Sequence, residues 1–319
     1  MGSSPSAPAS LDTGATSGDA SGRTLAIHVG AHKTATSHLQ HGFSKSRGVL
    51  RQKGVAYFGP EMLRGKLRLP RLAGKPSDPP KDLLAALDRN RMCKLVLSEE
   101  NILGTTRADL VAAAEQLYPT GDARLARLMQ ALGCTNATLY LSIRAPLAFL
   151  TSAHGQQQNA GRFAPMSDYL AHVSPDALRW SELVQRLASV PDVARVVVWR
   201  YEDYPAIVPT VQDSMLGRGR RFDLPDRKRL VGTSARALEH ARAVLAENPS
   251  RDVTEVIRAA RAAYPKSDAF PGPAPFAPDA LAADLARYDD DCTRLAALPN
   301  VTLLRPSQDA ASASAVKPA

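Results

Sequence analysis

Three groups of residues in this chain have the types and spacings that handling an anion requires. The first is Gly30-Ala-His-Lys-Thr-Ala-Thr-Ser37, between an apolar run at 25–29 and a helical pattern that puts Leu39, Phe43 and Leu50 on one face. A strand, a turn and a helix start present unsatisfied backbone N–H groups and the positive end of a helix dipole to an anion. Lys33 adds a full charge there, and Thr34, Thr36 and Ser37 add hydroxyl donors on either side of Ala35. The second group is Arg144, at the start of a helical pattern, with Ser152 eight residues further on. That spacing is slightly more than two helical turns, so the two side chains can converge on one anion. The third is Glu99-Glu100-Asn101, after the apolar run 94–98. Carboxylates at the carboxyl end of a buried strand sit where open α/β sheets bind ligands, and one can act as a general base. Adjacent residues point different ways, so only one of the two glutamates can face a given reacting atom.

These groups need a scaffold, and the rest of the pattern supplies one. Short apolar, β-branched runs at 25–29, 55–58, 94–98, 136–143, 194–199 and 300–304 predict strands. Helical patterns begin at Thr36, cover 81–91, 109–117 and 122–132, open again near Pro146, and cover 167–172 and 175–188. Thr233-Ser-Ala-Arg-Ala-Leu-Glu239 predicts a helix start with a hydroxyl N-cap, and two or three helices fill the chain to Leu298. Strands alternating with helices predict an α/β fold with a helical C-terminal part. Residues 60–80 hold five prolines and two glycines together with Arg64, Lys66, Arg68, Arg71 and Lys75. They predict a mobile basic loop on the acceptor side of a cleft.

The chain has 319 residues, 44% of them hydrophobic, enough for a sizeable core. Residues 1–22 are rich in Ser, Ala, Gly and Pro, with Asp12 and Asp19 their only charged side chains. Without a basic start or an apolar run, this stretch predicts a disordered leader rather than a signal peptide or membrane span. Residues 306–319 predict a flexible tail, which leaves one domain over 23–305. Setting the two leader acids aside raises the net charge from +9 to +11, which suits anionic ligands. Nucleic acid is not expected, because the cations are spread out and aromatic residues make up only 5%. Cys93, Cys134 and Cys292 lie far apart and in odd number, so a reducing cytoplasm is expected. No His, Cys or acid cluster has metal-ligand spacing.

Residues 29–37 are not a Walker A loop, which needs a second glycine directly before its lysine. They resemble the 5′-phosphosulfate loop of sulfotransferases that use 3′-phosphoadenosine 5′-phosphosulfate (PAPS), with Ala35 where that family often has glycine. Arg144 and Ser152 resemble the family's 3′-phosphate site, and Tyr201-Glu-Asp resembles the segment whose tyrosine borders the adenine. The resemblance spans residues 24–240 and is strongest to the bacterial branch that acts on carbohydrate or lipid-linked acceptors. It implies a P-loop-like parallel β-sheet with helices on both faces, PAPS as donor and no metal. By the same resemblance Lys33 stabilises the bridging oxygen, and the amides of Thr34, Ala35, Thr36 and Ser37 hold the 5′-phosphate. Arg144 and Ser152 hold the 3′-phosphate, and Tyr201 borders the base. Glycan-modifying members use a glutamate as general base, which implies Glu100; Glu99, His32 and His154 are its rivals. The basic clusters Arg218-Gly-Arg-Arg221 and Arg227-Lys-Arg229 lie where the family often closes over the 3′-phosphate. A small-molecule or glycan hydroxyl is the implied acceptor, and a membrane-bound acceptor would be met peripherally. Acceptor loops carry no motif, so the acceptor itself is not legible. A P-loop kinase would need the missing glycine and a magnesium-binding aspartate at a strand end. A non-catalytic nucleotide- or glycan-binding protein on the same fold would bind 3′,5′-ADP without turning PAPS over.

Overall fold

The computed structural model describes residues 23–90, 93–107, 111–225 and 232–306. Its strands, in chain order, are β1 (Arg23–Gly30), β2 (Val55–Phe58), β3 (Lys94–Ser98), β4 (Ala112–Ala113), β5 (Gln116–Leu117), β6 (Cys134–Ile143), β7 (Val193–Arg200) and β8 (Val301–Leu304). β4 and β5 form a small antiparallel pair, and the other six make one parallel sheet in the order β2-β3-β1-β6-β7-β8. The helices are α1 (Thr36–Lys45), α2 (Arg47–Gln52), α3 (Pro60–Arg64), α4 (Leu69–Gly74), α5 (Lys81–Arg89), α6 (Gly121–Leu132) and α7 (Pro146–Gln158). They continue with α8 (Met166–Tyr169), α9 (Trp180–Ala188), α10 (Tyr204–Leu216), α11 (Ala235–Glu247), α12 (Val253–Ala263) and α13 (Pro278–Ala296).

The strands are apolar on both faces because helices cover both. Leu25, Ile27, Leu97, Leu139, Leu141 and Val198 face a core with Leu125 and Leu128 of α6, Phe149 of α7 and Leu183 of α9. Ala26, Val96, Tyr140 and Trp199 face the other way, onto Leu39 and Phe43 of α1 and Ile207 and Val211 of α10. Each large side chain buried in these layers contributes ~1.5–3 kcal/mol. α11 and α12 pair through a smaller cluster of their own, built on Leu238 and Ile257. β1 lies between β3 and β6, so the chain leaves it on one side and later returns on the other. Ligands of open parallel sheets bind at such a reversal, beyond the carboxyl ends of the strands.

Four sequence expectations are corrected. Residues 60–80 are not one open loop: α3 and α4 form there, and Leu63, Leu67, Leu69, Leu72 and Ala73 are buried. The apolar residues between the prolines dock on the sheet's flank, which the proline count concealed. Of the helix expected over 109–117, Val111 is helical, but the β4–β5 ribbon takes 112–117, with Ala114 at φ 50 and Tyr118 following at φ 45 (residues 108–110 lie outside the described ones). Ribbon geometry prevails because it delivers Tyr118, fully buried, beneath the turn after β1. The helix over 175–188 begins only at Trp180, after a 3₁₀ turn at Pro175–Ala177, because a carboxylate from α13 caps it there. The helix from Lys81 stops at Arg89 in place of residue 91. The leader and most of the tail, 1–22 and 307–319, lie outside the described residues.

α13 also fixes the helices that border the site. Asp291 Oδ2 accepts from the amides of Trp180 (2.6 Å) and Ser181 (3.2 Å), and Asp284 Oδ2 accepts from Leu147 N at 3.0 Å. Both acids are buried, and each meets the positive end of a helix. Asp291→Ala should therefore cost about 2 kcal/mol. Urea unfolding should show a lower midpoint at an unchanged slope; an unshifted midpoint would remove the cap from the account.

Candidate functional site

The carboxyl ends of β3, β1, β6 and β7 lie side by side, and each leads into one of the groups singled out in the sequence. The turn after β1 is built around a single oxygen. Ala31 N–H donates to Ser142 O at 2.8 Å, which carries the β1–β6 ladder into the turn. The Ala31 carbonyl then accepts from Thr34 Oγ1 at 2.7 Å and from Thr36 Oγ1 at 3.0 Å. These bonds turn both threonines inward and support Lys33 and Ala35 in the left-handed region, each at φ 63, a conformation that costs a residue with a Cβ ~1–2 kcal/mol. Gly30 must be glycine for two reasons: its φ is +103, and a Cβ there would lie 2.8 Å from Glu100 Cβ.

What the turn shows to solvent is the remainder. Ser37 is exposed, Lys33 is half-buried, and α1 has no side-chain cap. Among the described residues no backbone carbonyl accepts from the amides of Thr34, Ala35, Thr36 or Ser37. The hydroxyls of Thr34 and Thr36 are spent inside the turn, so of the three expected hydroxyl donors Ser37 alone faces outward.

Arg144 and Tyr201 come to the same place. Arg144 Nη1 donates to Lys33 O at 3.4 Å, and its guanidinium carbon lies 4.7 Å from the centre of the Tyr201 ring. Trp180 Nε1 holds the Arg144 carbonyl at 2.7 Å, and Tyr201 N–H donates to Ile143 O at 2.7 Å. Glu202 Oε1 accepts from Ala145 N at 3.3 Å, which ties the end of β7 to the start of α7. Burial, and then the charge of Arg144, pull the Lys33 pKa below its ordinary value. Two cations crowd here, and no carboxylate among the described residues pairs with either one. Ser152 is half-buried two turns into α7, and no hydrogen bond joins it to Arg144.

The two glutamates behave differently. Glu99 is fully buried; its Oε1 accepts from Asn101 N at 2.9 Å and its Oε2 from Arg64 Nε at 2.7 Å. Glu100 Oε2 accepts from Gln40 Nε2 at 2.8 Å, and Oε1 accepts from Arg64 Nη2 at 2.7 Å. Burial raises the Glu99 pKa, and the bond from Arg64 only partly offsets it. Burial also acts to raise Glu100, but the His32 ring when protonated, the Gln40 bond and the Arg64 charge outweigh it, and its pKa is lowered. Gln40 reaches on to Ser98 Oγ at 3.3 Å, which meets His28 Nδ1 at 2.8 Å, so a polar chain runs from Glu100 into the sheet.

Both histidines named as rival bases are engaged. His32 Nε2 meets Asn101 Oδ1 at 3.1 Å and Nδ1 meets Tyr118 Oη at 2.8 Å. The amide oxygen can only accept, so Nε2 carries the hydrogen and Nδ1 accepts from the phenol. Burial lowers the His32 pKa and favours that neutral form. His154 Nε2 donates to Ala164 O at 2.7 Å on a different loop. Of the basic clusters, Arg221 pairs with Asp213 at 2.9 Å and Arg220 donates to Leu216 O at 3.0 Å, while Arg227, Lys228 and Arg229 lie outside the described residues. Sequence reasoning missed Arg64 as a partner of the glutamates, and also Gln40, Tyr118 and Glu202. Each meets its partner across dozens of residues, and no local pattern announces that. Among the described residues no group of three or more His, Cys, Asp or Glu is placed to hold a metal ion, and no helix is long and apolar enough to cross a membrane.

No family model and no curated protein matches this sequence. Among solved structures the chain is similar to a sulfotransferase from Alicyclobacillus acidocaldarius. The identity is 18% and the TM-score 0.43, with 88% of this chain and 97% of that one covered.

His28 makes the stability of this site depend on pH. Burial holds its pKa at about 4 against 6.5 for an exposed imidazole, and the charge of Glu100 opposes this only weakly. The unfolded chain takes up the proton first, so this contribution is complete above about pH 6.5 and is lost as pH falls toward about 4. The loss from this residue should be on the order of 3 kcal/mol. Urea midpoints measured from about pH 7 down to about pH 4.5 should fall, and less steeply in His28→Leu. An equal slope in the variant would show that another group titrates.

Proposed function

We propose that this chain is a sulfotransferase, moving the sulfuryl group of PAPS to a hydroxyl of a small-molecule or glycan acceptor, with release of 3′,5′-ADP. The observation that carries this reading is the convergence of Lys33 and Arg144, two cations without a carboxylate partner among the described residues, on the open amides at the start of α1. A donor with anions at both ends fits that arrangement. An anion between the two cations relieves the repulsion that adds to burial in lowering the Lys33 pKa, and the Tyr201 ring beside Arg144 offers a flat apolar surface for a base.

PAPS, when bound, supplies the sulfuryl group and a phosphate leaving group. The protein's share is to position the reactants and neutralise charge. Amides of Thr34, Ala35, Thr36 and Ser37 hold the 5′-phosphate, and Lys33 offsets charge on the bridging oxygen. Arg144 with Ser152 holds the 3′-phosphate, and Tyr201 borders the adenine. Glu100 accepts the hydroxyl proton. Its place at the end of β3 puts it against Gly30, the first residue of the turn.

Incubation with labelled PAPS and a panel of glycans, lipids and phenols tests the reading: transfer to at least one is expected. Binding of 3′,5′-ADP with transfer to none would reduce the chain to a nucleotide-binding protein. Lys33→Ala should lower the transfer rate by about a hundredfold or more in a folded protein; a wild-type rate would remove the lysine from the mechanism. Arg144→Ala should weaken 3′,5′-ADP binding about tenfold or more, as loss of a charge-assisted bond does. Calorimetry that finds unchanged affinity would place the 3′-phosphate elsewhere.

A further inference from the structure

Among the described residues, Arg64 is the one cation bonded to Glu99 and Glu100. Its Nε and Nη2 each donate at 2.7 Å, one to each carboxylate. Two other carboxylate oxygens are held from within the fold, by Asn101 N and Gln40 Nε2. The partners differ in access: the side chain of Glu99 is 0% exposed and that of Glu100 15%, whereas that of Arg64 is 45% exposed. Oε1 of Glu100 is therefore occupied from the solvent side, by the end of a long side chain on the short helix α3. An acceptor hydroxyl would have to compete with a charge-assisted bond for that oxygen.

The surface around Arg64 is basic. Lys66, Arg68, Arg71 and Lys75 are exposed on the same two-helix segment, opposed within it by Glu61 and Asp78. A neutral acceptor offers the guanidinium only uncharged oxygens, weaker partners than the carboxylate they would replace. An anionic one offers a charged partner, and the surrounding cations favour its approach.

We propose that the acceptor carries a carboxylate or phosphate of its own, and that this anion turns Nη2 of Arg64 off Glu100 while Nε stays on Glu99, opening Glu100 Oε1 to the acceptor hydroxyl. Glu99 is then a positioning residue that anchors the arginine through the turn, which accounts for two adjacent acids with one base role. Once Nη2 has left, Glu100 has lost its bond to a cation and holds a proton more readily. In the step that follows, the acceptor O–H bond breaks and its proton passes to Glu100 Oε1. The oxygen bonds to sulfur, and the bond from sulfur to the bridging oxygen breaks with its electron pair leaving on 3′,5′-ADP. The inference rests on the transfer reaction proposed above and adds the chemical class of its acceptor.

The test uses the full chain, isotopically labelled at arginine and saturated with 3′,5′-ADP. Glucose, glucuronate and glucose 6-phosphate are titrated in as neutral, carboxylate and phosphate probes, with the Arg64 Nε–H resonance followed by NMR. The same three are offered as acceptors with labelled PAPS. One or both anions should move the resonance, glucose should not, and the effective anion should accept sulfate at least about tenfold faster than glucose. Which anion acts separates a carboxylate from a phosphate requirement. Arg64→Ala should weaken binding of that anion about tenfold and erase the preference, with 3′,5′-ADP affinity retained as proof of fold. Arg64→Lys, which keeps the charge without the fork, should fall between the two. An Arg64 resonance unmoved by either anion, anion affinity unchanged in Arg64→Ala, or faster transfer to glucose would each overturn the proposal. A moved resonance in a protein that does not bind 3′,5′-ADP would uphold the anion contact and sink the donor reading. Bound 3′,5′-ADP with an unmoved Arg64 would do the reverse.

Discussion

The Ala31 carbonyl, gathering the hydroxyls of Thr34 and Thr36, is the interaction on which the site depends. Two short side chains satisfy one oxygen from opposite ends of a tight turn, and in doing so face inward. The residues before, between and after them, Lys33, Ala35 and Ser37, then face outward together with the open amides. The left-handed conformations at positions 33 and 35 are a local cost that those two bonds offset. Without them the turn would relax toward ordinary helix entry, and the lysine would lose its place at the end of β1.

The same economy of helix ends runs through the neighbouring elements. An α-helix begins with amides that want an acceptor. At α9 the acceptor is Asp291, and at α7 it is Asp284 with Glu202. All three carboxylates come from elements distant in sequence. Among the described residues α1 receives no such carboxylate, and its start is flanked by Lys33 and Arg144. At one edge of the sheet the protein therefore supplies its own negative charge to two helices on one face, and leaves without it a third on the other face. A buried helix start without a cap would be a defect; one facing solvent beside two cations has the charge and the donors that suit an anion, as the proposed reading requires.

All six strands of the sheet were legible because apolar, β-branched runs bounded by Gly, Pro and charge have few other uses. The turn after β1 was legible too, since glycine, lysine and hydroxyls at close spacing carry their own local reason. Contacts across the chain were not. The 109–117 segment has helical spacing, yet Tyr118 bonds His32 across 86 residues, and that tertiary demand overrides local preference. Residues 60–80 read as an open loop because prolines dominate the local signal. Five buried apolar residues make it a docked pair of helices, and the docking brings Arg64 to Glu99 and Glu100. Thr34 and Thr36 looked like ligand donors by type, and only the carbonyl they share shows where their hydrogens go.

Strand order gives the edge a polarity that composition cannot. Reading across the sheet, β3 ends in the acids, β1 in the lysine turn, β6 in Arg144 and β7 in Tyr201. Lys33, Arg144 and the open amides thus lie from β1 toward β7 and the Glu99–Glu100 pair lies on the β3 side, with Gly30 at the boundary. With the donor bound as proposed, its anionic ends lie over β1, β6 and β7 and its reactive end points toward β3. An acceptor must then enter from the β3 side, past α3 and α4, where the exposed basic residues lie. On the proposed reading the direction of transfer follows from the order in which four parallel strands were laid down. The acid pair depends on Arg64 because, among the described residues, it is the one cation bonded to both carboxylates.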